Sequence, residues 1–145
     1  MDLGKSIGLA AIQPSLDTVY YFENLEHTKK ANPHYHIALP TINGNYVLLV
    51  MFTSQIDRKE EYYSLTNQNA LSSLVYADKD KFCFLTKDSV IDCNHPIYKT
   101  KEELGAIISS LEYREADLTE TFINDIKDAI LTSPIARRNI KKALK

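Results

Sequence analysis

The spacing of apolar positions changes near residue 96. Upstream they gather in short runs rich in β-branched and aromatic residues, a composition that suits strands. Residues 18–23 (TVYYFE) form the first run, preceded by Pro14 and Asp17, which suit a loop. Residues 34–39 (HYHIAL) and 46–53 (YVLLVMFT) follow, separated by PTINGN. The Asn43-Gly44 pair tolerates positive φ at low cost, which predicts a hairpin between these two runs. YVLLVMFT is apolar on both parities and is therefore predicted to be a central strand covered on both faces. Residues 73–77 (SLVYA), 82–85 (FCFL) and 89–93 (SVIDC) are further strand candidates, joined by polar, turn-like links. Short strands with tight links favour an antiparallel barrel or meander, because parallel pairing needs long crossovers.

After Pro96 the period becomes helical. Thr100-Lys101-Glu102-Glu103 fits a capping box, with Leu104, Ile107, Ile108 and Leu111 on one face behind it. Leu118, Phe122, Ile126 and Ile130 recur every fourth residue, with Ile123 beside them and Asp117 or Thr119 as cap. Ser133-Pro134 closes that helix, and a serine cap followed by proline at the first helical position predicts a third helix carrying Ile135, Ile140 and Leu144. The expected fold class is α+β: one domain over residues 1–145, with a small antiparallel core, barrel or meander, over 18–98 and a helical extension over 99–145.

A length of 145 residues suits one core, and 44% hydrophobic with 25% charged residues is an ordinary globular balance. With 17 Lys and Arg against 19 Asp and Glu, the net charge of −2 gives no global reason to bind nucleic acid or an anionic membrane. No stretch approaches the roughly 20 apolar residues that span a bilayer, and the first residues lack an apolar block for secretion, so a cytoplasmic protein without a membrane partner is expected. Cys83 and Cys93 are too few for a disulfide framework and are not spaced as C-x-x-C; both sit in apolar runs and read as buried thiols. Four glycines, at 4, 8, 44 and 105, cannot build a dinucleotide fingerprint or a P-loop, so cofactors held by glycine-rich backbone lose support.

Local basic character lies at the C-terminus. Arg137, Arg138, Lys141, Lys142 and Lys145 have no acid among them, whereas Glu112, Glu115, Asp117, Glu120, Asp125 and Asp128 outweigh Arg114 and Lys127 upstream. Such a helix can follow a phosphate backbone, and it can equally be a solvated face whose cations suit a helix C-terminus.

Candidate chemistry gathers at strand ends. His34 and His36 lie two apart on one strand, so they share a face and can share a phosphate, or form an ordinary exposed sheet face. No third ligand at metal-binding spacing accompanies them, so no metal site is expected. Thr53-Ser54-Gln55 places two hydroxyls where the central strand ends, with Arg58 on the same rim. Asp92 and His95 lie three apart before the helical part, a pair able to transfer protons or a turn in which Asp92 bonds local N–H groups.

The order of these features resembles the PemK/MazF-type growth-inhibitor toxins: a first strand, HYHIALPTINGN, a strand ending in Thr-Ser, and a late strand running into D-C-N-H-P and a helix, over about residues 18–108. The resemblance implies an SH3-like barrel, a homodimer, metal-independent and cofactor-free cleavage of single-stranded RNA, and inhibition by a cognate antitoxin in a bacterial toxin–antitoxin system. Thr53 and Ser54 match the family's Thr-Ser at its RNA groove, and Asp92 lies in the strand that supplies an acid there. His34 falls where the family generally has a phosphate-stabilising arginine, and IDCNHP lacks an arginine before its aspartate, so charge stabilisation falls to His34, His36, His95 or Arg58. The helical tail after Tyr113 also exceeds the usual toxin length.

The implied catalytic set is His34 or His95 for proton transfer, Asp92 as the acid and Arg58 for charge. Thr53, Ser54 and His36 would position phosphate, and bases would rest on Tyr35 or Tyr62. Two further readings stand beside it. One is a non-catalytic SH3-like module whose tail docks a protein partner or a second copy, favoured by the missing arginines. The other is a nucleic-acid-binding regulator using the basic last helix.

Overall fold

The computed structural model describes residues 18–22, 34–106, 112–115 and 118–144. In chain order they form β1 (Thr18–Phe22), β2 (His34–Pro40), β3 (Tyr46–Thr53), α1 (Ile56–Thr66), a 3-10 segment (Gln68–Ser73), β4 (Leu74–Ala77), β5 (Ser89–Asp92), β6 (Ile97–Thr100), α2 (Lys101–Ala106), β7 (Glu112–Glu115), α3 (Glu120–Thr132) and α4 (Arg138–Ala143). The strands make an antiparallel sheet in the order β4-β5-β3-β2-β1-β7, with β6 also paired to β3. The α+β class expected from the sequence is the class observed. The path ends at β4 and β7, which do not pair with each other among the described residues, so closure into a barrel is not among these pairings.

β3 is the central strand its two-sided apolar pattern predicts, buried along most of its length. One edge pairs with β2, in the register His36↔Met51 to Pro40↔Val47. Its other edge is shared: β5 pairs with Phe52 and Thr53, and β6 pairs with Tyr46 to Leu49. Between them, beside Val50 and Met51, the chain leaves the ladder for four residues, 93–96, and the Cys93 N–H turns to the Ser73 carbonyl at 3.0 Å. This excursion carries Asn94 and His95 out of the sheet.

The β2–β3 hairpin forms where PTINGN predicts it, but not through a left-handed glycine. The Tyr46 N–H bonds the Asn43 carbonyl at 3.0 Å, the Asn45 N–H bonds Asn43 Oδ1 at 3.0 Å, and Gly44 keeps a negative φ.

α3 lays Ile123, Ile126, Ala129 and Ile130 on a core that includes Ile37, Leu39, Leu48 and Val50. Its cap is Thr119, whose Oγ1 accepts from the Phe122 N–H at 3.1 Å. The Thr100–Glu103 capping box is reciprocal: the Glu103 N–H bonds Thr100 Oγ1 at 2.9 Å and the Thr100 N–H bonds Glu103 Oε1 at 3.1 Å. The apolar face expected behind it falls on Leu104, whose side chain is not described, and on residues 107–111, which lie outside the described residues, as do Pro14, Asp17 and Asp117.

Several expectations are corrected. Residues 82–85 are turns rather than a strand; Phe82 and Phe84 are buried against Phe52, but Cys83 between them is exposed, so only Cys93 is a buried thiol. The stretch 99–145 is not wholly helical, since β6 runs to Thr100 and β7 pairs with β1 from Thr18↔Glu115 to Tyr21↔Glu112. The third helix starts late. Ser133 Oγ accepts from the Ile135 and Ala136 N–H groups at 3.1 and 3.0 Å, which bends the chain over 134–136 and delays α4 to Arg138. α1 and β6 have no counterpart among the predicted elements.

Candidate functional site

Antiparallel register builds the first cleft. The β2–β3 ladder ends at His36↔Met51, and just beyond it His34 on one strand and Thr53 on the other line the same cleft. His34, Tyr35, Thr53 and Ser54 line a cleft of about 260 Å³, together with Gln55 and Lys87. His34 is half-buried, and its Nδ1 is buried with no hydrogen-bond partner among the described residues. Thr53 Oγ1 accepts from the Gln55 N–H at 3.2 Å, which leaves its own O–H to donate. Arg58, exposed on α1, donates from Nη1 to Gln55 Oε1 at 3.2 Å and is thereby tethered to the rim. Lys87 is a cation on the opposite lip that sequence reasoning missed, because the link carrying it reads only as a polar turn.

His36 is fully buried, and its Nδ1 lies 2.9 Å from the His34 carbonyl oxygen. It sits on the His34 side of the strand, as alternation requires, but lines neither of the clefts described here.

Asp92 is the centre of a buried polar knot. Its side chain is 4% exposed. Oδ2 accepts from the Tyr63 hydroxyl at 2.7 Å and from Lys59 Nζ at 3.1 Å, while Oδ1 accepts from the Asn94 backbone N–H and from Asn94 Nδ2, both at 3.1 Å. Asn94 Nδ2 also donates to the Ala70 carbonyl at 3.0 Å, and Ser133 Oγ donates to Asn94 Oδ1 at 2.6 Å. The knot thus ties α1, the 3-10 segment, β5 and the end of α3 together. Burial alone would raise the carboxyl's pKa, but the donors from Tyr63, Lys59 and Asn94 outweigh it and hold the group below the usual carboxylate range. Burial, then the bond to and charge of Asp92, push the Tyr63 hydroxyl well above its ordinary value. A carboxylate held ionised by four donors has no proton to give at neutral pH, and it has no free lone pair aimed at either cleft.

His95 is exposed and lies at a second cleft. Its ring runs near-parallel to that of Tyr63, with centroids 6.4 Å apart. With Arg137 and Asn139 it lines a cavity of about 670 Å³ between the 93–96 excursion and α4. No described residue lines both clefts, so His34, Thr53 and Ser54 are brought together while His95 stands apart from them. Tyr62 is exposed on α1 and lines neither.

Among the described residues no group of three His, Cys, Asp or Glu side chains converges, and no helix is long and apolar enough to cross a membrane. No protein-family model matches the sequence, and no curated protein matches it.

Proposed function

We propose that this chain is a toxin-like endoribonuclease that takes single-stranded RNA into the His34 cleft, on an open and divergent version of the SH3-like barrel. The observation that carries the reading is the convergence of an imidazole and two hydroxyls, His34, Thr53 and Ser54, in one cleft with Lys87 on its lip. A half-buried imidazole that shares one cleft with two hydroxyls suits proton transfer beside a bound phosphate.

In this mechanism His34 takes the ribose 2′-OH proton and the oxygen attacks the adjacent phosphorus. The bond to the 5′-oxygen breaks as a 2′,3′-cyclic phosphate closes, and the departing oxygen takes a proton from water at the open lip. Thr53 and Ser54 donate hydrogen bonds to the non-bridging oxygens, where charge develops. Lys87 and the Gln55-tethered Arg58 supply the positive charge that the family's arginine would otherwise bring. Tyr35, tilted against Phe84 at 4.9 Å, offers an aromatic wall for an unstacked base. Homodimerisation and control by a cognate antitoxin rest on the resemblance, and a cytoplasmic setting rests on the apolar pattern of the sequence.

The test is incubation of purified protein with single-stranded RNA in EDTA beside His34→Ala and Arg58→Ala. Cleavage by wild type that is lost in the first variant and reduced in the second supports the reading.

A second reading, a non-catalytic module binding RNA or a protein partner, is favoured by one observation. Asp92 is locked in the knot and His95 lies in another cleft, which leaves a single imidazole where acid and base are both wanted. Intact RNA, with no growth inhibition on expression, would select it.

A further inference from the structure

The larger cavity carries chemistry that the ribonuclease reading does not use. Asn94, His95, Pro96 and Ile97 line it from the 93–97 stretch, and Ile135, Arg137 and Asn139 line it from the 135–139 stretch. Among the described residues no carboxylate lines it. Of the cations nearby, Lys141 is committed to the Ser133 carbonyl at 2.6 Å, whereas Arg137 is exposed and makes no ion pair among the described residues. A guanidinium, an imidazole and a side-chain amide around one space with no acid among them suit an anion with several acceptor oxygens, such as a phosphate monoester.

The rest of the lining suits something else. Ile97, Ile135 and Ile140 are apolar, and Tyr98 lines the same cavity with its ring stacked on Tyr46, centroids 4.6 Å apart and planes 24° from parallel. That stacking holds the Tyr98 side chain in place where it lines the cavity. A volume of about 670 Å³ matches the sites that hold molecules of a few hundred daltons.

We infer that this cavity is a second binding site, one that takes a nucleoside monophosphate unit. The phosphate is held by Arg137, with His95 and Asn139 completing the donors, and the base lies against Tyr98 and the isoleucines. The inference does not depend on RNA cleavage, because none of its residues lines the His34 cleft. The unit is either a free nucleotide or the 5′-phosphorylated end of an RNA strand, which present the same chemistry.

The test is a titration followed by 1H–15N correlation spectra of the full chain, with UMP in one arm and a 5′-phosphorylated trinucleotide in the other. Saturable shifts confined to the amides of residues 94–98 and 135–140 are expected. Arg137→Ala should weaken binding about tenfold, the worth of one set of charge-assisted hydrogen bonds, while Arg138→Ala, next to it but outside the lining, should not. Much tighter binding of the trinucleotide identifies the strand end as the ligand, and equal binding identifies the free nucleotide. Absence of saturable shifts, shifts centred on residues 34 and 53–55, or unchanged affinity in Arg137→Ala would overturn the assignment.

Discussion

The Tyr63 hydroxyl lies 2.7 Å from Asp92 Oδ2, a bond that fastens the middle of α1 to the end of β5. Tyr63 is fully buried and is the only buried residue of α1, so this contact decides how the helix sits. Asp92→Ala leaves the Tyr63 hydroxyl and the Asn94 backbone N–H unmatched, removes one of the two bonds of Asn94 Nδ2, and should cost about 3 kcal/mol in urea unfolding. Tyr63→Phe removes one bond to a charged acceptor and should cost about 2 kcal/mol. Lys59→Ala, from a partly exposed side chain, should cost about 1 kcal/mol or less. In a double-mutant cycle the Tyr63 and Asp92 losses should be strongly non-additive.

The same knot sets a pH dependence. Asp92 titrates lower in the folded chain than its unfolded value of about 3.9, so its contribution is complete above that pH and is lost as pH falls through the lower folded value. Tyr63 titrates higher than its unfolded value of about 10, so its contribution is complete below that pH and is lost as pH rises toward the raised folded value. Stability measured against pH should show a plateau between these limits. Asp92→Asn should flatten the acid limb and Tyr63→Phe the alkaline one.

Ser133 is worth more than an ordinary cap. Its hydroxyl donates to Asn94 and accepts from two backbone N–H groups, so Ser133→Ala should cost about 2 to 3 kcal/mol by thermal or urea unfolding. Thr119→Ala removes a single cap bond and should cost about 1 kcal/mol.

The two thiols should separate cleanly. Cys83 is exposed, whereas Cys93 is buried, and burial together with the nearby Asp92 charge pushes its pKa up. A thiol reagent should therefore titrate one equivalent in the native protein and two in urea, and Cys83→Ser should abolish the native reaction.

What was legible in the sequence follows from physical range. Runs such as YVLLVMFT and caps such as Thr100–Glu103 and Thr119 are decided by neighbours within a few residues, and they appear where the pattern puts them. That His34 and Thr53 line one cleft was within reach because a short hairpin fixes the register on either side of it. α1 was not legible: IDRKEEYYSLT buries only Tyr63, too little to print a helical period. β7, with the sequence EYRE, has no apolar alternation and is held by backbone pairing to β1. The Asp92 knot joins residues 29 and 33 positions apart, and the approach of His95 to Arg137 depends on where α4 docks. Such contacts leave no local pattern to read.

If the His34 cleft cleaves RNA, loss of its proton-transfer group should lower the rate about 100-fold or more without unfolding the chain, since the His34 Nδ1 has no hydrogen bond among the described residues to lose. Lys87→Ala should mainly weaken RNA binding and lower its salt dependence, as expected for a phosphate contact.

The chemistry of the cut ends tests the central claim most directly. Mass spectrometry of a defined single-stranded RNA treated in EDTA should find a 2′,3′-cyclic phosphate on one fragment and a 5′-hydroxyl on the other. A 2′-deoxy substitution at the cut nucleotide, or His34→Ala in the protein, should abolish both products. Uncut RNA, 5′-phosphate ends, or cyclic ends that persist in His34→Ala would contradict the account.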